Sequence, residues 1–155
     1  MNLVRGHASR GATVADAMIR FPQVCGPATT TAHVRELFRD DHVHAVLVVD
    51  NDKLMAVVER PDVTTVPPEF PARLAGRLRG RVSSPDADLD ATWHTMTALR
   101  RRRLAVIDDH QLLLGLLCLN RTGLGFCADA DIKARALERR LTTTAAHETG
   151  CGART

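Results

Sequence analysis

Aromatic residues are nearly missing. The 155-residue chain has one Trp, four Phe and no Tyr, 3% in all. Surfaces that stack nucleic-acid bases need exposed aromatic rings, so this composition speaks against them. The interior has to be built from Val, Leu and Ala instead. Lysine is scarce too, with 2 residues against 19 Arg. With alanine abundant as well, that skew reads as GC-rich coding rather than selection for phosphate contacts. The four cysteines, Cys25, Cys118, Cys127 and Cys151, form no C-x-x-C pair, which argues against a zinc ribbon. No charged-then-apolar leader opens the sequence, and its longest apolar runs are strand-length. Neither a secretory signal nor a membrane span is therefore expected. A cytoplasmic location with reduced thiols is the default.

What is present suits one domain of ordinary size, or two small motifs sharing a core. Apolar residues make up 45% and charged residues 25%, enough for a core without staples. Net charge is +3. Residues 1–65 carry 7 basic and 8 acidic side chains, and residues 66–155 carry 14 and 10. Neither half is basic enough for a dedicated nucleic-acid binder.

The chain repeats itself. RELFRDDHVHAVLVVDNDKLMAVVERPDV (35–63) and WHTMTALRRRRLAVIDDHQLLLGLLCLN (93–120) share one plan. Val46 falls on Leu104, Val48 on Val106, Asp50 on Asp108 and Phe38 on Met96. One extra residue in the second turn then sets Ala56 on Gly115. A helix, a strand, a polar turn and a strand recur at a spacing of about 58 residues, which reads as two copies of one supersecondary unit. Val34, Leu37, Phe38 and Met96, Leu99 give each helix one apolar face. Thr29, Thr30 or Thr31 can cap the first helix, and Asp88 or Asp90 the second. Ala45–Val49 and Leu104–Ile107 are short aliphatic runs suited to strands buried on both faces. Asp50-Asn51-Asp52 and Asp108-Asp109-His110 are turn clusters. Leu54–Val58 and Leu112–Leu117 return as antiparallel strands. Residues 13–21 and 70–80 predict a helix before each motif, followed by short strands at Val24-Cys25 and Val82-Ser83. The expected boundaries are a flexible N-terminus (1–12), a first motif (13–65), a proline-rich joint (66–71), a second motif with a final helix at Asp129–Leu141 (72–141), and a disordered tail (142–155).

The phrases VRELFRDDHVHAVLVVD and TMTALRRRRLAVID, followed by LMAVVERPDV and LLGLLCLN, resemble the cystathionine-β-synthase (CBS) domain family over roughly residues 13–141. FPQVCGPATT and GFCADADI are similar to stand-alone CBS-pair proteins of actinomycetes. The resemblance implies an α/β fold of α+β type, with two tandem β-α-β-β-α motifs packed as one pseudo-two-fold module. It also implies a homodimer joined through helix faces, and a non-catalytic regulatory role. Family members often bind adenosine-bearing ligands between their motifs, so AMP, ADP, ATP or S-adenosylmethionine enter as candidate regulatory ligands, with no cofactor required. A protein effector acted on in trans is implied, with neither nucleic acid nor membrane as partner.

The family's ligand signature is a small residue, two apolar ones, Ser or Thr, two free positions and Asp. The hydroxyl approaches a phosphate, and the Asp accepts from ribose hydroxyls. The first motif offers Ala56-Val57-Val58-Glu59-Arg60-Pro61-Asp62. Asp62 keeps the ribose position, and Glu59 replaces the hydroxyl. The second offers Gly115-Leu116-Leu117-Cys118-Leu119-Asn120-Arg121, where a weak donor and a cation stand in place of the hydroxyl and the carboxylate. One cleft is therefore expected to bind ligand, combining Val57, Glu59 and Asp62 with Val82, Ser83 and Ala105. Arg102 or Arg103 would reach a phosphate there, one with few charges given Glu59. The second site is expected to be empty or to take something else.

Blander readings stand beside these. Asp62 can simply cap a helix begun by Pro61. The run Arg100–Arg103 suits a solvent-facing helix end, with ligand phosphate or nucleic acid as the sharper alternatives. His42 and His44 put two imidazoles on one strand face, half a metal site without a compelling third ligand. Cys25, Cys118 and Cys127 read as small buried residues, Cys151 as exposed. The functional alternative is an adaptor with two degenerate clefts that works through its surface alone.

Overall fold

The computed structural model describes residues 11–127 and 151–153. Its elements are α1 (Val14–Ala17), β1 (Gln23–Cys25), α2 (Thr31–Leu37), β2 (Val46–Asp50), β3 (Lys53–Val58), a 3-10 turn (Arg60–Val63), α3 (Ala72–Ala75), β4 (Val82–Ser83), α4 (Leu89–Ala98), β5 (Arg103–Ile107), β6 (Leu113–Cys118) and β7 (Cys151–Ala153). The final helix expected at 129–141 lies outside the described residues, as do most of the two flanks.

Local chemistry sets each hairpin. Asn51 and Asp52 both take positive φ, 51° and 68°, which is the primed turn that a two-residue connection between antiparallel strands needs. The second turn is one residue longer. There Asp108 Oδ1 accepts from the N–H of His110 at 2.8 Å and of Leu112 at 3.0 Å. Both hairpins shift register at matching places, Val48/Val49 and Val106/Ile107. β1 joins β2 and β4 joins β5 in parallel, so one sheet runs β3-β2-β1-β7 and the other β4-β5-β6. Thr30 caps α2 by accepting from His33 N–H, and Asp88 caps α4 by accepting from Ala91 N–H.

Reciprocal backbone bonds display the pseudo-two-fold axis. Leu54 N–H donates to Gln111 O, and Leu113 N–H donates to Asp52 O, each at 2.9 Å. Val57 and Arg77 exchange bonds at 3.1 Å, and Leu116 and Ile19 do the same at 2.9 and 2.8 Å. The short helices cross over. Val14 of α1 is buried with Leu89, Met96, Leu104 and Leu117 of the second motif. Ala72 of α3 is buried with Cys25, Val34, Phe38 and Val58 of the first. A third cluster of Leu47, Val49, Leu54, Val57, Ala105 and Leu113 fills the space between the sheets. Neither motif has a complete core without the other's leading helix.

Three expectations change. The predicted helices 13–21 and 70–80 last one turn each, because Ile19 and Arg77 leave the helix to pair with Leu116 and Val57. Gly76 permits the second of these approaches: a Cβ there would stand 2.5 Å from Val57 O. Within the expected disordered tail, Cys151–Ala153 forms a strand antiparallel to β1, covering an edge whose backbone groups would otherwise lack ladder partners. Cys118 and Cys127 form a disulfide with Cα atoms 5.4 Å apart instead of carrying free thiols. Cys127 N–H donates to Cys118 O at 2.7 Å and Leu119 bridges Phe126, so the intervening loop brings the sulfurs together. Cys25 is buried, as expected, and is also disulfide-bonded. Among the described residues no helix is long and apolar enough to cross a membrane.

Candidate functional site

The pseudo-symmetry gives the module two equivalent clefts, one at the end of β3 and one at the end of β6. Their contents differ in charge. The first is built around Arg81, the residue just before β4, whose side chain is only 3% exposed. Its guanidinium donates to Val57 O at 2.7 Å, to Asp62 Oδ2 at 2.6 Å and to Asp62 Oδ1 at 3.3 Å, and stands 3.3 Å from Glu59 Oε1. The other Glu59 oxygen takes Arg101 at 2.5 Å. Asp62 Oδ2 also accepts from Glu59 N–H at 2.8 Å, which caps the 3-10 turn that Pro61 starts. Burial pushes the Asp62 carboxyl up. The hydrogen bonds from Arg81 and Glu59 N–H, with the charges of Arg81 and Arg77, outweigh that and hold it below the ordinary aspartate range. Two guanidinium groups thus neutralise two carboxylates in a partly buried seam. Val57 and Ala105 are buried in the same seam, Val82 packs against them, and Arg81 O accepts from Ala105 N–H.

The second cleft is open and encloses about 470 Å³. Asp41, His42, His44, Arg102, Arg103, Asn120, Arg121, Thr122 and Cys127 line it. A smaller recess of about 90 Å³ adjoins it, walled by Ile19, Pro22, Val43, Ala45, Leu47 and Leu116, with Gln23, His42, His44 and Arg103 at its polar side. Among the described lining residues three are arginines and one is an aspartate. Arg102 Nε is buried without a hydrogen-bond partner. Burial and the charges of Arg103 and Arg102 lower the His44 pKa from 6.5 to about 4, with smaller effects from Arg60 and His42. His42 is exposed beside Asp40. Among the described residues no group of three or more His, Cys, Asp or Glu could hold a metal ion.

The internal symmetry explains the contrast residue by residue. β1 and β4 pair in register with equivalent residues of β2 and β5, so Gln23 stands where Arg81 stands. By the alignment of the two segments, Cys118 takes the place of Glu59, and Arg121 that of Asp62. One cleft has both carboxylates and the guanidinium that fills them. The other has neither, and an added cation.

Residues 14–69 match the CBS domain family model. That stretch, the first of the two motifs, is similar to a CBS domain. Solved structures share the fold of the whole pair. AcuB of Vibrio cholerae, described as an acetoin utilization protein, is 20% identical over 86% of this chain and 98% of its own, with a TM-score of 0.59. CBSX2, solved in complex with AMP, is 21% identical over 84% and 99%, also at 0.59. Hypoxic Response Protein I, solved with two coordinated zinc ions, is 17% identical over 69% and 92%, at 0.55. A search of curated proteins returned no match. CBS-domain proteins are generally regulatory.

Of the residues expected in one CBS cleft, Val57, Glu59, Asp62, Val82 and Ala105 do meet, around Arg81. Ser83 sits on β4 opposite Val106, and its hydroxyl donates to Ser84 O. Arg102 and Arg103 do not join them. The arginine that reaches Glu59 is Arg101, while Arg102 and Arg103 line the other cleft. Glu59, expected to face a ligand, instead stands between Arg81 and Arg101, one at each carboxylate oxygen. Arg81 itself escaped the sequence reading, since an Arg before a short strand reads as solvent-facing. The signal that would have found it was the pairing of Glu59 with Asp62 at one strand end, which demands buried cations.

Proposed function

We propose that this CBS pair is a non-catalytic regulatory module that takes an anionic adenosine-type ligand between its motifs and acts in trans on a protein partner. The two motifs at 13–65 and 72–141, joined by residues 66–71, are its units. The observation that carries the reading is the second cleft, open and lined by Arg102, Arg103 and Arg121, next to a recess walled by Ile19, Ala45 and Leu116. Arginine forks match phosphate oxygens, and an apolar recess suits a base that finds no aromatic ring to stack on. AMP bound to the similarly folded CBSX2 agrees with this ligand class. ADP and ATP suit the three arginines better than S-adenosylmethionine, whose sulfonium they would repel.

In this role the ligand favours one relative orientation of the motifs, and a homodimer through helix faces passes that change to the partner. The filled first cleft supports a second reading, an adaptor that binds no small molecule. Titration calorimetry and thermal melting with AMP, ADP, ATP and S-adenosylmethionine separate the two, because a ligand that binds only the native state must stabilise it. ATP and ADP should bind more tightly than AMP. Arg121→Glu should weaken ATP about tenfold or more, the loss of one charge-assisted contact. Silence from all four ligands at millimolar concentration leaves the adaptor.

A further inference from the structure

We infer that Arg81 determines how many ligands this chain takes: its guanidinium occupies the first cleft, leaving only the second for a small molecule. The count of one rests on the proposed reading of the second cleft; the occupation of the first does not.

Arg81 is placed as a bound ligand would be. Its guanidinium lies in the seam between β3 and β4, 3% exposed, and engages both oxygens of Asp62 together with Val57 O and Glu59. A bidentate carboxylate presents two acceptors side by side. A guanidinium fork fills them, and so does a vicinal diol with its two O–H donors. While Arg81 holds Asp62, a ribose has no acceptor to reach. At the pseudo-symmetric position stands Gln23, a shorter neutral side chain that lines the recess beside the open second cleft. The filling residue and the carboxylates it fills are present together in one cleft and absent together from the other. Removing the guanidinium should therefore create a site rather than merely loosen the fold. Its chemistry would be that of a diol or a small guanidinium.

AMP is the probe for stoichiometry, read by native mass spectrometry and calorimetry on the full chain. The wild type should bind one AMP per chain and Arg81→Ala two. Arg81→Gln, which copies Gln23, should follow. Methylguanidinium should raise the melting temperature of Arg81→Ala, leave the wild type unmoved, and displace only the second AMP. Two AMP per wild-type chain overturns the inference, as does a folded Arg81→Ala that keeps the wild-type count. None on the wild type with one on the variant upholds Arg81 and removes the proposed second-cleft ligand instead. None on either overturns both. If the variants fold only with methylguanidinium present, that rescue supports the seat; failure to recover with it counts against it.

Discussion

Asp62→Asn tests the electrostatics of the filled cleft directly. The carboxylate is 11% exposed and its partner Arg81 3%. An amide of the same shape has one acceptor where the carboxylate has two. It can still take Glu59 N–H and one Arg81 nitrogen, but it turns an N–H toward the other. A buried guanidinium then keeps only Glu59 and Val57 O as full partners. Breaking one member out of a buried ion pair costs about 3–5 kcal/mol. The surviving Glu59 contact puts the expected loss at the low end, about 3 kcal/mol, or roughly 6–12 °C in melting temperature for a chain of this size. The loss must also depend on pH. Asp62 is depressed in the folded state, so its contribution is whole above the unfolded value of about 3.9 and vanishes as pH falls through the lower folded value. Urea unfolding of both proteins from pH 7 to pH 3 should therefore show a gap that is full near neutrality and shrinks below about pH 4. A gap under ~1 kcal/mol at pH 7 would mean the pair is not desolvated as the geometry requires. A gap of constant size down to pH 3 would assign the loss to packing and not to charge.

Three further outcomes follow from other parts of the molecule. The double variant Cys118→Ala/Cys127→Ala opens a short loop and should lose about 2–3 kcal/mol in urea unfolding under oxidising conditions; no loss would mean the bond does not constrain the chain. His44 titrates at about 4 when folded, against 6.5 when unfolded, so the unfolded chain holds more protons between those values. Stability should fall as pH drops from about 6.5 toward 4. His44→Gln should flatten that part of the curve, and parallel curves for the two proteins would rule the effect out. Gly115→Ala would set a Cβ 2.5 Å from Ile19 O and 2.7 Å from Met18 Sδ. It should cost about 1–3 kcal/mol by thermal melting, and a neutral result would show that the α1 segment can move away.

Most of the fold was legible because its units are local. Strand runs such as Val46–Val49, turn clusters such as Asp50–Asp52, and caps at Thr30 and Asp88 each depend on neighbours a few residues away. The extra residue in the second turn could be read off the alignment of the two halves. Less legible was anything fixed between the motifs. Helix periodicity at 13–21 gives no hint that Ile19 must leave to pair with Leu116, nor that Val14 belongs to the far core. The disulfide joining Cys118 to Cys127 depends on how residues 119–126 fold, which spacing alone does not state. The site suffered most. Four consecutive arginines have no sequence feature to say which faces which cleft, and because Arg100–Arg102 precede the strand its alternation does not sort them. Arg101 went to one cleft, and Arg102 and Arg103 to the other.

The division of charge between the clefts is a consequence of that same geometry. Burying Glu59 and Asp62 at one strand end is tolerable only with cations at hydrogen-bond distance, because an unpaired buried carboxylate is strongly disfavoured. Arg81 and Arg101 meet that need, and in doing so close the space. At the other strand end the carboxylates are gone, so nothing requires a guanidinium to enter, and Gln23 does not supply one. Arg102, Arg103 and Arg121 line an open volume, with Asp41 as the one acidic residue among the described lining residues. Their mutual repulsion favours any anion that bridges them, and the depressed His44 pKa registers the same field. An anion bound there should raise the His44 pKa, so binding near pH 5 should take up protons. Calorimetry with ATP in two buffers of different ionisation enthalpy reads that uptake. It should disappear in His44→Gln, and equal heats in both buffers for the wild type would place the anion away from this cleft.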